Sequence, residues 1–180
     1  MAKTPLRLPA DFVDLLTEFE RAAVRYVVLG GYAVGFHDRP RTTKDLDLLI
    51  DSTERNIERA TEALSAFGAP RSVLHAFRTA SEDEVVWMGV PPVRIDLLRA
   101  ADGVEFRSCY ARRVRVAIGS LETNMIGLDD LIATKRAADR PQDRADVKRL
   151  LRVRARNASG GALAPSKGTR GKSTSRRARR

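Results

Sequence analysis

Two aspartates at the start of an otherwise apolar strand place the strongest constraint on how this chain can fold. In the segment "DLDLLI", residues 45–50, side chains alternate between the two faces of the predicted strand. Asp45 and Asp47 therefore share one face, whereas the apolar residues at 46, 48 and 50 occupy the other. Because a carboxylate is costly on a buried surface unless a positive partner meets it, this strand is expected to border a site that supplies a cation.

A later segment, "RIDLLR", carries a third aspartate in the same kind of setting. Ile95 and Leu97 share one strand face, and Asp96 lies on the other. If the two strands are neighbours in a sheet, Asp96 stands beside Asp45 and Asp47. Three such carboxylates repel one another unless a cation is present. Oxygen ligands alone suit Mg²⁺ or Mn²⁺ rather than zinc.

A pair of glycines ends the strand predicted at residues 26–30. Gly30 and Gly31 allow backbone to approach a phosphate without a Cβ clash, and they can aim N–H groups of a following helix at the anion. A lone Gly-Gly is typical of a turn, and a lone Asp-Leu-Asp is typical of a solvated strand end. In this order, however, the glycine pair and the aspartate-bearing strands predict a phosphate-binding turn beside a divalent-metal site. Enzymes of phosphoryl or nucleotidyl transfer combine these two features.

The periodicity of the apolar residues predicts an α+β domain. Trp87, on one of the predicted strands, is expected in the core rather than on the surface as a platform for a stacked base. Helices are predicted at 11–25, 32–37, 53–67, 127–140 and 142–156, and strands at 26–30, 45–50, 73–79, 84–90, 93–100 and 113–118.

Charge and composition divide the chain into a folded part, 1–156, and a tail, 157–180. The net charge is +10, and the tail has seven Lys or Arg, no acid and no aromatic residue, so we expect it to be disordered. A nucleic-acid tether and a solubilising tail both remain open for it. The sequence shows no apolar run long enough to cross a membrane and no secretory signal, and Cys109 is its single cysteine. We expect a cytoplasmic protein.

Three segments together resemble a known group of enzymes. They are "GGYAVGFHDRPRTTKDLDLLI", "RIDLLR" and "KRAADRPQDRADVKRL". The pattern is similar to the nucleotidyltransferase superfamily of the DNA polymerase β type, and closest to the abortive-infection nucleotidyltransferases, which include toxins of type IV toxin–antitoxin systems. The resemblance implies a mixed sheet flanked by helices with a C-terminal helical pair. It also implies transfer of a nucleoside monophosphate from a nucleoside triphosphate.

The resemblance implies a role for each aspartate of the first two segments. Asp45 and Asp47 would bind Mg²⁺ (or Mn²⁺). Asp96 would be the third carboxylate, acting as a base or as a further metal ligand.

The resemblance also implies contacts with the nucleotide. Gly30 and Gly31 would contact the triphosphate, and Lys135 resembles a lysine that contacts its phosphates. Asp146 resembles an aspartate that is needed for activity. Arg41 lies in a loop predicted to cover the phosphates, where pairing with the triphosphate and an ordinary surface position both stay open.

Without the resemblance, the third segment has a plainer interpretation. Lys135 would lie on a solvated helix face, and Asp143 and Asp146 would be first-turn acids or partners of Arg144 and Arg149.

The acceptor of the nucleotide is left open by the sequence. A toxin-like enzyme would modify tRNA and would have a cognate antitoxin as a partner. A second hypothesis is transfer to a small molecule, such as an antibiotic hydroxyl, or to a protein side chain. The third is a non-catalytic homologue that binds nucleotide or RNA.

Overall fold

The structure is a computed structural model that describes residues 7–39 and 42–160. Its centre is one mixed sheet of six strands, which confirms the expected α+β class. In chain order the strands are β1 (Tyr26–Leu29), β2 (Asp45–Ile50), β3 (Val86–Met88), β4 (Arg94–Leu98), β5 (Val114–Ile118) and β6 (Leu121–Met125).

The strand order across the sheet is β3-β4-β2-β1-β6-β5. β2 runs parallel to β4 and antiparallel to β1, while β3 lies antiparallel to β4 at one edge. β1 is parallel to β6, and β5 forms the other edge against β6. The two aspartate-bearing strands are therefore neighbours, as the sequence predicted.

Seven helices in the described residues flank the sheet. They are α1 (Ala10–Arg21), α2 (Gly30–His37), α3 (Glu54–Phe67), α4 (Arg71–Thr79), α5 (Phe106–Ala111), α6 (Leu128–Ala138) and α7 (Pro141–Gly160). α3 packs against both α1 and α4, while α2 packs against α6 and α7. Pro141 begins α7, where its missing N–H costs nothing because first-turn donors have no partner within the helix.

The core confirms the predicted alternation on the two aspartate strands. Leu46, Leu48 and Ile50 are fully buried, and Ile95 and Leu97 on the neighbouring strand are buried beside them. These apolar faces fix the register, because a slip by one residue would turn the leucines outward and the carboxylates inward.

The segment 73–79 was predicted as a strand, and this is wrong: it belongs to helix α4. Val73 and Phe77 are four residues apart, so on a helix they lie on one face, and both pack on the core. Pro70, at the N-cap, limits the chain to a helix start just after it. Short apolar runs do not separate strand from helix by periodicity alone.

Helix α7 continues to Gly160, past the boundary predicted at residue 156. Residues 161–180, and with them most of the predicted tail, lie outside the described residues. Among the described helices, none is long and apolar enough to cross a membrane.

Candidate active site

One row of residues crosses four strands of the sheet and contains two of the predicted site carboxylates. Asp47 on β2 is paired with Leu29 on β1 and with Asp96 on β4. Asp96 is paired in turn with Trp87 on β3. Paired residues on adjacent strands project their side chains to the same face. The row therefore places Asp47 and Asp96 side by side, with Gly30 just after its β1 end.

Gly30 touches the Asp47 carboxylate so closely that no other residue fits. Its backbone has φ +65°, a left-handed conformation that favours glycine. A Cβ at this position would lie 1.8 Å from Asp47 Oδ2 and 2.6 Å from its Cγ. The glycine pair predicted as a phosphate-binding turn therefore also makes room for one of the predicted metal ligands.

Asp47 is held in a setting that disfavours its charge. Burial, and after it the nearby charges of Asp45 and Asp96, raise the pKa of this carboxyl from 3.8 to about 6. Lys135 and Arg94 lower it in part. When the pKa of a carboxyl is raised in this way, an added cation stabilises its charged form.

Arg94 lies between two of the carboxylates. One guanidinium nitrogen donates to Asp45 Oδ2 at 3.1 Å and to Asp96 Oδ2 at 2.8 Å. Among the residues that the structure describes, no three His, Cys, Asp or Glu side chains are grouped as a metal cage in this arrangement. The guanidinium lies between two of the predicted ligands and partly neutralises their charge in this arrangement.

The donor set fits a hard divalent cation. Asp96 Oδ1 is buried and has no hydrogen-bond partner within the described part of the chain, which is costly for a carboxylate oxygen. Asp45, Asp47 and Asp96 offer oxygen ligands alone, the type that Mg²⁺ and Mn²⁺ prefer.

Lys135 and the start of α7 border the carboxylates from the side of α6. Lys135 Nζ lies 2.7 Å from Asp143 Oδ1 and 3.7 Å from Asp146 Oδ2, and all three side chains are largely buried. The solvated position considered for Lys135 is therefore wrong. Asp143, which the resemblance did not single out, is the nearer of its two partners.

The plainer pairing considered for the α7 acids is also wrong. Arg144 pairs with Asp139, and Arg149 pairs with Asp38 at the end of α2. These two pairs tie α7 to its neighbours and leave Asp143 and Asp146 to face Lys135. An ammonium held between two buried acids has a defined position, which suits it to contact phosphate as a point charge.

Five of the predicted site residues line a cleft of about 950 Å³: Gly30, Gly31, Asp45, Asp47 and Lys135. Asp96 and Asp146 are not part of its lining. It extends from Gly30 and Gly31, past Asp45 and Asp47, to Val85 just before β3. From α6 and α7 it is lined by Thr134, Lys135, Ala138, Gln142 and Asp143. Arg41, the predicted phosphate contact, lies outside the described residues, although Lys44 a few positions later does line the cleft.

Trp87 was expected in the core, and this is wrong: the residue is 60% exposed. The alternation of β3 explains the difference, because Met88 faces the core and Trp87 must face the other way. The alternation along the strand predicts that Trp87 and Met88 face opposite ways. It does not predict which of the two is buried, because this depends on the register with β4.

The chain matches a known family, and its fold is similar to solved structures. Residues 7–153 match the family described as "Nucleotidyltransferase of unknown function (DUF6036)". A crystal structure of ANT(2'')-Ia in complex with adenylyl-2''-tobramycin is similar with a TM-score of 0.50 at 13% identity, over 84% of this chain and 97% of that chain.

A solution structure of ANT(2'')-Ia matches with a TM-score of 0.46 at 14% identity, over 84% of this chain and 91% of that one. No curated protein sequence matches significantly. At 13% identity the likeness to the crystal structure shows the fold alone, and it confirms the expected nucleotidyltransferase fold.

Proposed function

The chain belongs to the DUF6036 family of nucleotidyltransferases, and we propose that it transfers a nucleoside monophosphate from a Mg²⁺-bound nucleoside triphosphate to a hydroxyl of a small molecule. The observation that carries this proposal is the paired row of Asp47 and Asp96, with Gly30 in contact with the Asp47 carboxylate. Nothing in the stability of the sheet calls for carboxylates at these positions.

The residues divide between the metal and the phosphates. Asp45 and Asp47 would hold Mg²⁺, and Asp96 would complete the set or act as a base. The ion would supply charge neutralisation for the phosphates and for the leaving group. Gly30 and Gly31 begin helix α2, so the free N–H groups of its first turn are available to the triphosphate.

Lys135 is proposed as the phosphate contact from the other wall of the cleft. Its ammonium is oriented by Asp143 and Asp146 and influences the pKa of Asp47, so it lies near the predicted metal ligands. Asp146 would then act through Lys135 rather than on the nucleotide itself.

The proposed reaction is a single displacement at the α-phosphorus. An acceptor hydroxyl oxygen forms a bond to this phosphorus, and the bond to the bridging oxygen of the β-phosphate breaks. Pyrophosphate leaves with that electron pair. The proton of the hydroxyl passes to Asp96, whose buried Oδ1 has no hydrogen-bond partner in the described part of the chain.

A small-molecule acceptor is supported by the fold comparison. The crystal structure of ANT(2'')-Ia contains an adenylylated tobramycin, and its chain is matched over 97% of its length. The similarity therefore covers nearly the whole of a chain that was solved with an adenylylated antibiotic.

A tRNA acceptor is a second candidate, favoured by the charge of α7. This helix carries six Lys or Arg and two Asp, and such a basic surface attracts phosphate backbones. A toxin-like role with a cognate antitoxin belongs to this candidate and stays a prediction.

A transfer assay tests the proposal. The purified protein is incubated with Mg²⁺, each α-labelled nucleoside triphosphate in turn, and either tobramycin or total tRNA. We expect label on the small molecule with wild type and none with Asp47→Ala. The matched control is Asp129→Ala, since Asp129 is an exposed aspartate on α6 and its loss should leave transfer intact.

Each outcome has a distinct meaning. Label on tRNA alone would favour the second candidate. Equal labelling by wild type and Asp47→Ala would overturn the metal assignment. Binding of triphosphate without turnover on either acceptor would support the non-catalytic homologue.

A further inference from the structure

The exposed apolar side chains of this protein are concentrated beside the carboxylates. Four large hydrophobic residues are exposed in the described part of the chain, and three of them, Val85, Trp87 and Val90, lie within six residues of one another. Exposed apolar groups that cluster in this way mark binding surfaces more often than isolated ones do. The segment is β3 and its two flanks.

Trp87 faces the reacting side of the sheet. It is paired with Asp96 across β3 and β4, so its indole projects to the face that carries the third carboxylate. Val85, just before the strand, lines both the groove that includes Trp87 and the carboxylate cleft. The apolar surface and the cleft are therefore continuous.

The position of Trp87 in the strand order associates it with the acceptor. Of the proposed triphosphate contacts, Gly30 lies on the β1 side of Asp47, and Lys135 lines the cleft that contains both residues. Trp87 lies on the opposite side of Asp47, beyond Asp96. Three strand spacings separate Trp87 from the β1 end of the row, roughly 14 Å. Asp96 lies between the two regions, where an attacking hydroxyl would give up its proton.

We propose that Trp87 is the platform on which the acceptor's own ring stacks, and that this ring is an amino sugar. The inference rests on the proposed function. Neighbouring strands are about 4.8 Å apart, which is close to the width of a six-membered sugar ring. A ring hydroxyl placed at Asp96 therefore puts the ring that carries it over the indole.

The charges around β3 favour a cationic acceptor. Glu82, Asp83 and Glu84 precede the strand; Asp83 lines the carboxylate cleft, and Glu84 lines a groove of about 420 Å³ that also includes Val85 and Trp87. Ammonium groups of an amino sugar would pair with these acids, and an ammonium over the indole would gain a cation–π contact. The same acids would repel an RNA backbone.

The chain's single tryptophan makes the test direct, because all indole emission comes from this position. The wild type is titrated first with Mg²⁺ and a non-hydrolysable nucleoside triphosphate, and then with tobramycin. We expect the triphosphate to leave Trp87 accessible to acrylamide. Tobramycin should change the emission and shield the indole from acrylamide.

Binding constants from calorimetry complete the test. Trp87→Ala should weaken tobramycin binding by about tenfold or more through the loss of stacking and cation–π contacts, and Trp87→Phe should restore part of it. Val114→Ala is the matched control, since Val114 is exposed on the far edge strand β5. All three variants should bind the triphosphate like wild type, because none alters its side of the cleft.

The outcomes separate this inference from the function on which it rests. Absence of Mg²⁺-dependent triphosphate binding by wild type would refute the proposed function. If the triphosphate binds normally but Trp87→Ala and Val114→Ala bind tobramycin equally, the platform is refuted. Protection of the indole by total tRNA alone would overturn the amino-sugar assignment, and protection by neither probe would overturn the platform.

Discussion

Replacing Asp47 by asparagine should make the metal-free protein more stable while it abolishes transfer. Burial and the charges of Asp45 and Asp96 raise the pKa of Asp47 from 3.8 to about 6. At about 1.4 kcal/mol per pKa unit, this shift corresponds to at most about 3 kcal/mol of native-state destabilisation when the group is ionised. An amide of the same shape carries no charge and removes this cost.

The sign of the pH dependence follows from proton linkage. Between about pH 4 and pH 6 the native chain keeps a proton on Asp47 that the unfolded chain has lost. Unfolding then releases a proton, so the contribution of Asp47 to the free energy of unfolding falls as pH rises through this window. The advantage of Asp47→Asn should therefore be small near pH 4 and complete above about pH 7. The affinity for Mg²⁺ should instead rise with pH over this window, because the ion and the proton compete for the same carboxylate.

Urea unfolding in EDTA at pH 4.5 and pH 8 measures the effect in wild type and Asp47→Asn. Asp129→Asn serves as the control, because Asp129 is exposed and its loss should change stability equally at both pH values. Adding Mg²⁺ at pH 8 should stabilise wild type and leave Asp47→Asn unchanged. A variant that is less stable than wild type at pH 8, or a difference that is the same at both pH values, would refute the electrostatic argument.

Two further predictions concern the walls of the cleft. Gly30→Ala should reduce transfer by about 100-fold, because its Cβ displaces the Asp47 carboxylate. Gly119→Ala should leave the transfer rate near that of wild type, since Gly119 has nearly the same φ, +63°, and nothing within 4 Å of its Cβ position. Lys135→Met should lower the free energy of unfolding by about 3 kcal/mol, because it leaves buried Asp143 unpaired. Adding Asp143→Asn to Lys135→Met should restore part of the stability but none of the triphosphate affinity. If the double variant recovered the triphosphate affinity, Lys135 would not be a phosphate contact.

The strands that carry the aspartates were predictable because the alternation of polar and apolar residues lies within each segment. Alternation fixes which face each side chain takes, and the leucines and isoleucines can be buried on one face only. The segment 45–50 matches β2 residue for residue. The proximity of Asp96 depended on a further condition, that β4 neighbours β2, and the fold satisfies it.

Strand β6 was missed because its sequence, "LETNM", has no apolar alternation. Thr123 and Asn124 are buried in it and have partners far away in the sequence: Thr123 shares a hydrogen bond with Tyr26, and Asn124 Nδ2 donates to Glu20. Such polar networks join residues that are far apart in the sequence. No window of sequence that contains the strand reveals them.

The three carboxylates are unequal in the metal-free protein, and this inequality argues for a cation site. The hydrogen bonds of Arg94 go to Asp45 and Asp96, and none goes to Asp47. Burial raises the pKa of Asp47, and Asp47 is the carboxylate against which Gly30 is fitted. A purely structural cluster would be expected to pair each carboxylate that it removes from water. The chain instead leaves Asp47 without a hydrogen bond from Arg94. It lies at the centre of the row, between the glycine turn on one side and Asp96 and Trp87 on the other, where a bound cation would offset the cost of its burial and its repulsion by the other two carboxylates.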